Sequence, residues 1–197
     1  MGIYSTKSKW QQALRPIVTI CVQNRIHPNV FTYGALGLSS LAALALWQAG
    51  SNRAWLWLVP PCVLTRLLFN LMDGLVARES GVADAWGEVK NEFGDRIADA
   101  AIFLSLAFGG YADARLAALV IALILCVSYL GLLGKAIGGA RLYSGLFGKG
   151  DRMISLALFT FFPIFGGDLT VYNWYLAFAA FAATITLLQR LSKLYGQ

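Results

Sequence analysis

Arg66-Leu-Leu-Phe-Asn70-Leu-Met-Asp73-Gly74-Leu-Val-Ala77-Arg78, a short polar break, and then Gly87-Glu-Val-Lys-Asn91-Glu-Phe-Gly-Asp95-Arg-Ile-Ala-Asp99 is the stretch whose reading decides the fold. Its polar residues recur at helical spacings inside an otherwise apolar chain. Arg66, Asn70, Asp73 and Ala77 fall at i, i+4, i+7 and i+11, so one helix carries them on one face. Asn91, Asp95 and Asp99 follow at i+4 steps and give a second helix a polar stripe of its own. Two such helices packed antiparallel bring carboxylates and side-chain amides to one spot, and that spot needs a cation.

The surrounding composition says what kind of helices these are. Of 197 residues, 58% are hydrophobic and only 13% charged, and the mean hydropathy is +0.62. Such a chain reads as an all-α, polytopic integral membrane protein. The net charge of +6 does not point to nucleic acid, because the basic residues stand at the ends of apolar segments rather than in a patch. Cys21, Cys62 and Cys126 are isolated, without metal-ligand or disulfide spacing, and read as small core residues. Met1-Gly2 formally opens a myristoylation pattern, but a chain that already spans the bilayer gains little from an acyl chain. No cleavable signal peptide is expected, since the first apolar run follows polar residues and lacks a small-residue cleavage site.

Outward from the central stretch, residues 1–28 read as an amphipathic surface helix and linker, and residues 29–197 as a six-helix transmembrane domain. The surface helix is expected over 4–26, with Lys7, Lys9 and Arg15 toward the headgroups and Trp10 at the interface. Pro28 then interrupts the chain. Spans are expected at about 30–47, 54–77, 85–108, 116–133, 153–165 and 170–188, each near the ~20 residues a bilayer requires except the short fifth. Gly34, Gly37, Ser39 and Ser40 offer the first span a small-residue packing face. Pro60-Pro61 suggests a bend in the second. Most Lys and Arg fall on the side shared by both termini, with Arg53 and Arg115 opposite. The positive-inside rule makes the shared side, and with it the polar cluster, cytoplasmic, in a cytoplasmic or inner membrane.

An ionisable residue at membrane depth costs about 2.5 kcal/mol or more, so Asp73, Asp95 and Asp99 demand compensation. Arg66 and Arg96, water, or bound Mg2+ or Mn2+, which favour carboxylate and amide oxygens, are the available remedies.

The run Asn70-x-x-Asp73-Gly74-x-x-Ala77-Arg78, eight residues, then Gly87-x-x-x-Asn91-x-x-x-Asp95 resembles the signature of the CDP-alcohol phosphatidyltransferases. The match is gapless, except that Asn70 and Asn91 stand where that signature has aspartates. Pro28-Asn29-x-x-Thr32 resembles the opening of the family's first span more weakly. The resemblance implies a membrane transferase of phospholipid synthesis. It would move a phosphatidyl group from a CDP-linked lipid such as CDP-diacylglycerol to the hydroxyl of an alcohol or polyol phosphate, releasing CMP. It further implies a two-metal site polarising the diphosphate, with Asp73 as a metal and catalytic aspartate, Asp95 as ligand and general base, and Asn70 and Asn91 at the remaining ligand positions, where an amide oxygen can ligate a metal but brings no charge. Asn70, Gly74, Ala77 and Arg78 would meet the nucleotide, and a homodimer is implied as well.

The two asparagines lower the aligned charge from four anions to two. Either Asp99 and Glu92 make up the deficit, which makes Asp99 a candidate ligand, or only one metal binds well. A register ending on Asp95 and Asp99 would abandon the Gly87 match. Arg141, Lys149 and Arg152, in a glycine-rich connection facing the same compartment, are candidates for binding an anionic acceptor, and equally read as ordinary positive-inside anchors. His27 follows no ligand spacing. Two alternatives stand beside the enzyme: a catalytically silent CDP-lipid-binding relative, and a small transporter or proton relay built on the buried acids.

Overall fold

The computed structural model describes residues 7–196, with side chains from Gln12 onward. The expected roles of Lys7, Lys9 and Trp10 and the pattern at Met1-Gly2 lie outside the described side chains. Among the described residues there is no strand. Helices run over Lys7–Gln23 (α1), Asn29–Gln48 (α2), Val59–Glu79 (α3), Ala85–Phe108 (α4), Ala114–Ala136 (α5), Lys149–Ile164 (α6) and Val171–Tyr195 (α7), and a 3-10 turn over Arg53–Leu58 leads into α3.

Among the described residues, four segments are long and apolar enough to cross a membrane: Asn29–Gln48, Arg53–Glu79, Ala114–Ala136 and Val171–Tyr195. The other two expected spans fall short for separate reasons. α4 has 24 residues, but the part from Ala85 to Asp99 carries Glu88, Lys90, Glu92, Asp95, Arg96 and Asp99, while α6 has only 16 residues, roughly 24 Å of helix. Pro60-Pro61 does not bend a helix either. The pair occupies the first turn of α3, where a missing N–H costs nothing, and marks the junction with the 3-10 turn.

α1 presents Leu14, Val18 and Cys21, at i, i+4 and i+7, to Met72 and Val76 of α3. Its opposite side exposes Ile17 and Ile20, as a helix half sunk in a bilayer surface would. α2 packs on α3 and α4 through Gly34, Ala35, Ser39, Ala42 and Ala45. Gly37 and Ser40, expected on the same face, point outward. A Cβ added at Gly34 would come within 2.6 Å of Phe69 Cε2, so the missing side chain is what lets α2 and α3 approach. Gly34→Val should therefore destabilise the protein by about 1–3 kcal/mol through overpacking, read as a lower thermal midpoint in detergent. Gly37→Ala, with nothing within 4 Å of the new Cβ, should leave the midpoint unchanged.

The main core is aromatic and aliphatic, with Phe103, Tyr172 and Tyr175 buried among α4, α6 and α7. At one end of the bundle the turns are stitched together: Tyr111 Oη donates to Leu46 O, Arg53 Nη1 to Gly167 O at 2.9 Å, and Asp113 N to Asn173 Oδ1 at 2.7 Å. The polar stripes of α3 and α4 lie toward the other end.

Candidate active site

α3 and α4, joined by five residues, do not pack directly on each other as the sequence suggested; both pack against α2, and their polar stripes meet through long side chains such as Arg66. The start of α4 is fixed by Asp84, whose carboxylate accepts the Gly87 N–H at 2.6 Å. That cap sets the register of the polar stripe above it. Asp95 and Asp99, one turn apart, face the first turn of α6, where Lys149 and Arg152 stand three residues apart. Asp151 steadies that turn by accepting the Gly148 N–H at 2.9 Å. An i, i+4 pair of acids on α4 thus meets an i, i+3 pair of cations on α6 through their side chains.

Lys149 Nζ donates to Asp95 Oδ1. Arg152 Nη2 holds Asp99 Oδ2 at 2.6 Å, and Arg66 Nη2 from α3 holds Asp99 Oδ1 at 2.8 Å. Both oxygens of Asp99 are therefore committed to guanidiniums, and Asp99, Arg66 and Arg152 are each buried to 2% exposure or less. Arg66 also lies 3.7 Å from Asp95 Oδ1 and donates to Met153 Sδ at 3.1 Å, so one side chain ties α3, α4 and α6 together. One turn earlier on α4, Glu92 holds Arg96 at 2.5 Å and Arg141 with its other oxygen. Lys135 pairs with Glu88 at 2.6 Å. The last turn of α5 and the connection to α6 are thereby each tethered to α4, by Lys135 and by Arg141.

Asp73 is 5% exposed. Thr32 Oγ1 of α2 lies 3.5 Å from its Oδ2, and the charges of Asp95 and Lys149 both act on it. Asn70 donates its amide N–H to Arg66 O at 3.0 Å, which leaves the amide oxygen for another partner. A cavity of about 10 Å³ lies among Thr32, Ser39, Arg66, Asn70, Asn91 and Asp95, room for a single water or small ion. Among the described residues no three His, Cys, Asp or Glu side chains gather to hold a metal by themselves. Two carboxylates completed by amide oxygens fit a hard divalent cation, which takes oxygen ligands and keeps several waters.

Beside this small cavity opens a larger one of about 460 Å³, bounded by Asn70, Asn91, Asp95, Arg141, Lys149 and Arg152 at its polar end and by Leu64, Leu67 and Leu68 along one wall. Leu64 and Leu68 are 45% and 39% exposed on the outer surface of α3, so the apolar wall is continuous with the face turned to lipid. The structure thus gathers six of the candidate residues around one space, with Asp73 beside it and Asp99 beneath. Gly74, Ala77 and Arg78 lie farther along α3 and do not line either cavity. Arg78 is exposed, and its guanidinium rests over Gly74, where an added Cβ would stand 3.2 Å from Nη1.

Arg190 is a site residue that charge counting had placed among the topology anchors. It lines the large cavity and donates to Ser144 O at 2.9 Å and to Val127 O at 2.5 Å. Its signal was present: Ala179, Ala183, Thr186 and Arg190 recur at helical spacing on the buried face of α7.

A family model described as CDP-alcohol phosphatidyltransferase matches residues 25–188. The inner membrane protein YnbA of Escherichia coli is 34% identical over 158 residues, 80% of this chain and 78% of its own length. A phosphatidylinositol phosphate synthase of Mycolicibacterium smegmatis is 27% identical over 94% of this chain and 85% of its own. The crystal structure of the Mycobacterium tuberculosis phosphatidylinositol phosphate synthase with CDP-DAG bound superposes with a TM-score of 0.70 at 26% identity, covering 90% of each chain. The same enzyme in complex with manganese and citrate gives 0.72 at 26% identity, over 91% of this chain and 88% of its own.

Proposed function

As the chain belongs to the CDP-alcohol phosphatidyltransferase family, we propose that it transfers the phosphatidyl group of a CDP-linked diacylglycerol to the hydroxyl of a phosphorylated polyol, with release of CMP. The carrying observation is the large cavity, whose apolar wall opens to lipid and whose polar end holds acids, amides and the cationic side chains of Arg96, Arg141, Lys149, Arg152 and Arg190. A donor with acyl chains at one end and a diphosphate at the other fits such a space.

In this reading Asp95 takes the proton of the acceptor hydroxyl. The freed oxygen attacks the lipid-side phosphorus, and the bond from that phosphorus to the CMP oxygen breaks, CMP leaving with the electron pair. Lys149, paired with Asp95 in the resting site, is placed to turn toward a phosphoryl oxygen. Asn70 and Asn91 contribute amide oxygens beside Asp73 and Asp95, and a divalent cation held by these four supplies, when bound, polarisation of the diphosphate. Asp99 is in this reading the counter-ion of Arg66 and Arg152 rather than a ligand, because its oxygens are already taken. The same pairing speaks against a proton relay, since an acid clamped by two guanidiniums is a poor carrier. Gly74 and Ala77 leave room for a nucleotide along α3, with Arg78 beside it for phosphate.

Arg141, Lys149 and Arg152 are the acceptor-binding set in this proposal, and their charge is what favours an anionic acceptor. The active site and termini face the cytoplasm, where CMP-bearing donors are handled, and the implied homodimer belongs to the same reading. CMP release from CDP-diacylglycerol with Mg2+, across matched polyols and polyol phosphates, tests it: phosphorylated acceptors should react at lower KM. Arg141→Met should then raise KM for such an acceptor about tenfold or more while kcat changes little, a loss of about 1.4 kcal/mol in binding. An unchanged KM would remove Arg141 from the acceptor site.

A further inference from the structure

The charge inventory at the site does not balance two divalent cations. Only Asp73 and Asp95 are carboxylates within the aligned set; Asn70 and Asn91 are neutral. Two nearby acids could have restored the lost charge, Asp99 from the next turn and Glu92 from the preceding one. Neither is available. Asp99 has one oxygen on Arg66 and the other on Arg152, and Glu92 has one on Arg96 and the other on Arg141. Lys149 adds a third local fact, for its ammonium already occupies Asp95 Oδ1.

We infer that this site takes one divalent cation, in the small space bounded by Asn70, Asn91 and Asp95 and completed by Asp73, and that the Lys149 ammonium stands where a second cation would be needed. The arithmetic supports it. One divalent ion cancels the two carboxylates and the ammonium leaves a single positive charge for the donor diphosphate. Two divalent ions would leave three positive charges packed beside buried Arg66 and Arg152, at several kcal/mol in a poorly solvated site. A compact ammonium with three donors is suited to bind phosphoryl oxygens. The cavity of about 10 Å³ accommodates one ion. The inference rests on the phosphatidyl-transfer reading for the identity of the anion, but not for the count of ions.

The test is a Mn2+ titration of the purified full chain in detergent, followed by the EPR signal of free Mn2+. Wild type should bind one Mn2+ per chain, without the half-field signal of a spin-coupled pair. Asn70→Asp/Asn91→Asp/Lys149→Gln should bind two, with that signal. Lys149→Gln alone should bind its single Mn2+ several-fold more tightly, because a neighbouring cation is gone, and bind CDP in the presence of Mn2+ several-fold more weakly. Two ions of comparable affinity in wild type overturn the inference while leaving phosphatidyl transfer standing, as does Lys149→Gln with both affinities unchanged. Wild-type Mn2+ binding that Asp73→Asn does not weaken overturns the inference together with the metal site on which the transfer reading depends.

Discussion

Replacing Asp95 by Asn should lower CMP release by about 10²–10⁴-fold, the range a positioned general base contributes, without unfolding the protein. The amide is isosteric, can still accept from Lys149, and leaves Asp99 paired with both Arg66 and Arg152, although Arg66 loses the Asp95 charge 3.7 Å away. The loss should appear in kcat rather than in KM for the donor, since the proton is removed in the transition state. CMP release at saturating acceptor, together with the thermal midpoint of the same preparation, checks both parts. An Asp95→Asn protein with unchanged kcat would remove Asp95 from the chemistry. Asp73→Asn should weaken Mn2+ binding, as Asp95→Asn does in part, and reduce turnover through that loss alone.

The second large effect is structural. Asp99→Asn should cost about 3–5 kcal/mol, because removing one charge from a buried ionic cluster leaves the others uncompensated, here Arg66 and Arg152, 1% and 2% exposed. A thiol-reactive dye can follow this, since Cys21 and Cys62 are buried in the folded chain and become reactive on unfolding. The comparison that matters is with wild type in EDTA. If Asp99 is a counter-ion, the variant melts far below wild type whether or not metal is present. A ligand role would make wild type in EDTA melt where the variant does.

Asp99 also shows where sequence reading reaches its limit. Its i+4 step from Asp95 puts it on the right face of α4, and that much was legible. Spacing cannot tell a metal ligand from an arginine counter-ion, however, because the deciding partner, Arg152, lies 53 residues away on another helix. Arg190 was missed for a related reason: near the end of an apolar span a basic residue is read as a topology anchor, and only the packing of α7 against α5 turns it inward. The spans themselves were visible as apolar runs, but α4 and α6 were harder. α4 is charged through its first half because that half builds the site, and α6 begins at Lys149 because its first turn supplies the cations. The same placement explains the pattern around Asn70, Asp73, Asn91 and Asp95, whose shared neighbourhood was readable before any coordinates. Gly87, which entered only as a matching position in the pattern, has a local reason, since a Cβ there would stand 2.8 Å from the capping carboxylate of Asp84.

The claim on which the rest depends is that the acids and amides of α3 and α4 serve a phosphoryl transfer from a nucleotide-capped lipid. Phosphorus NMR of the chain reconstituted with CDP-diacylglycerol, Mg2+ and a panel of polyol phosphates tests it most directly. The account predicts one CMP for each donor consumed, a new phosphodiester resonance, and neither in EDTA. Loss of the diphosphate resonances without a new phosphodiester, or an unchanged spectrum with every acceptor while CDP-diacylglycerol still binds, would contradict it.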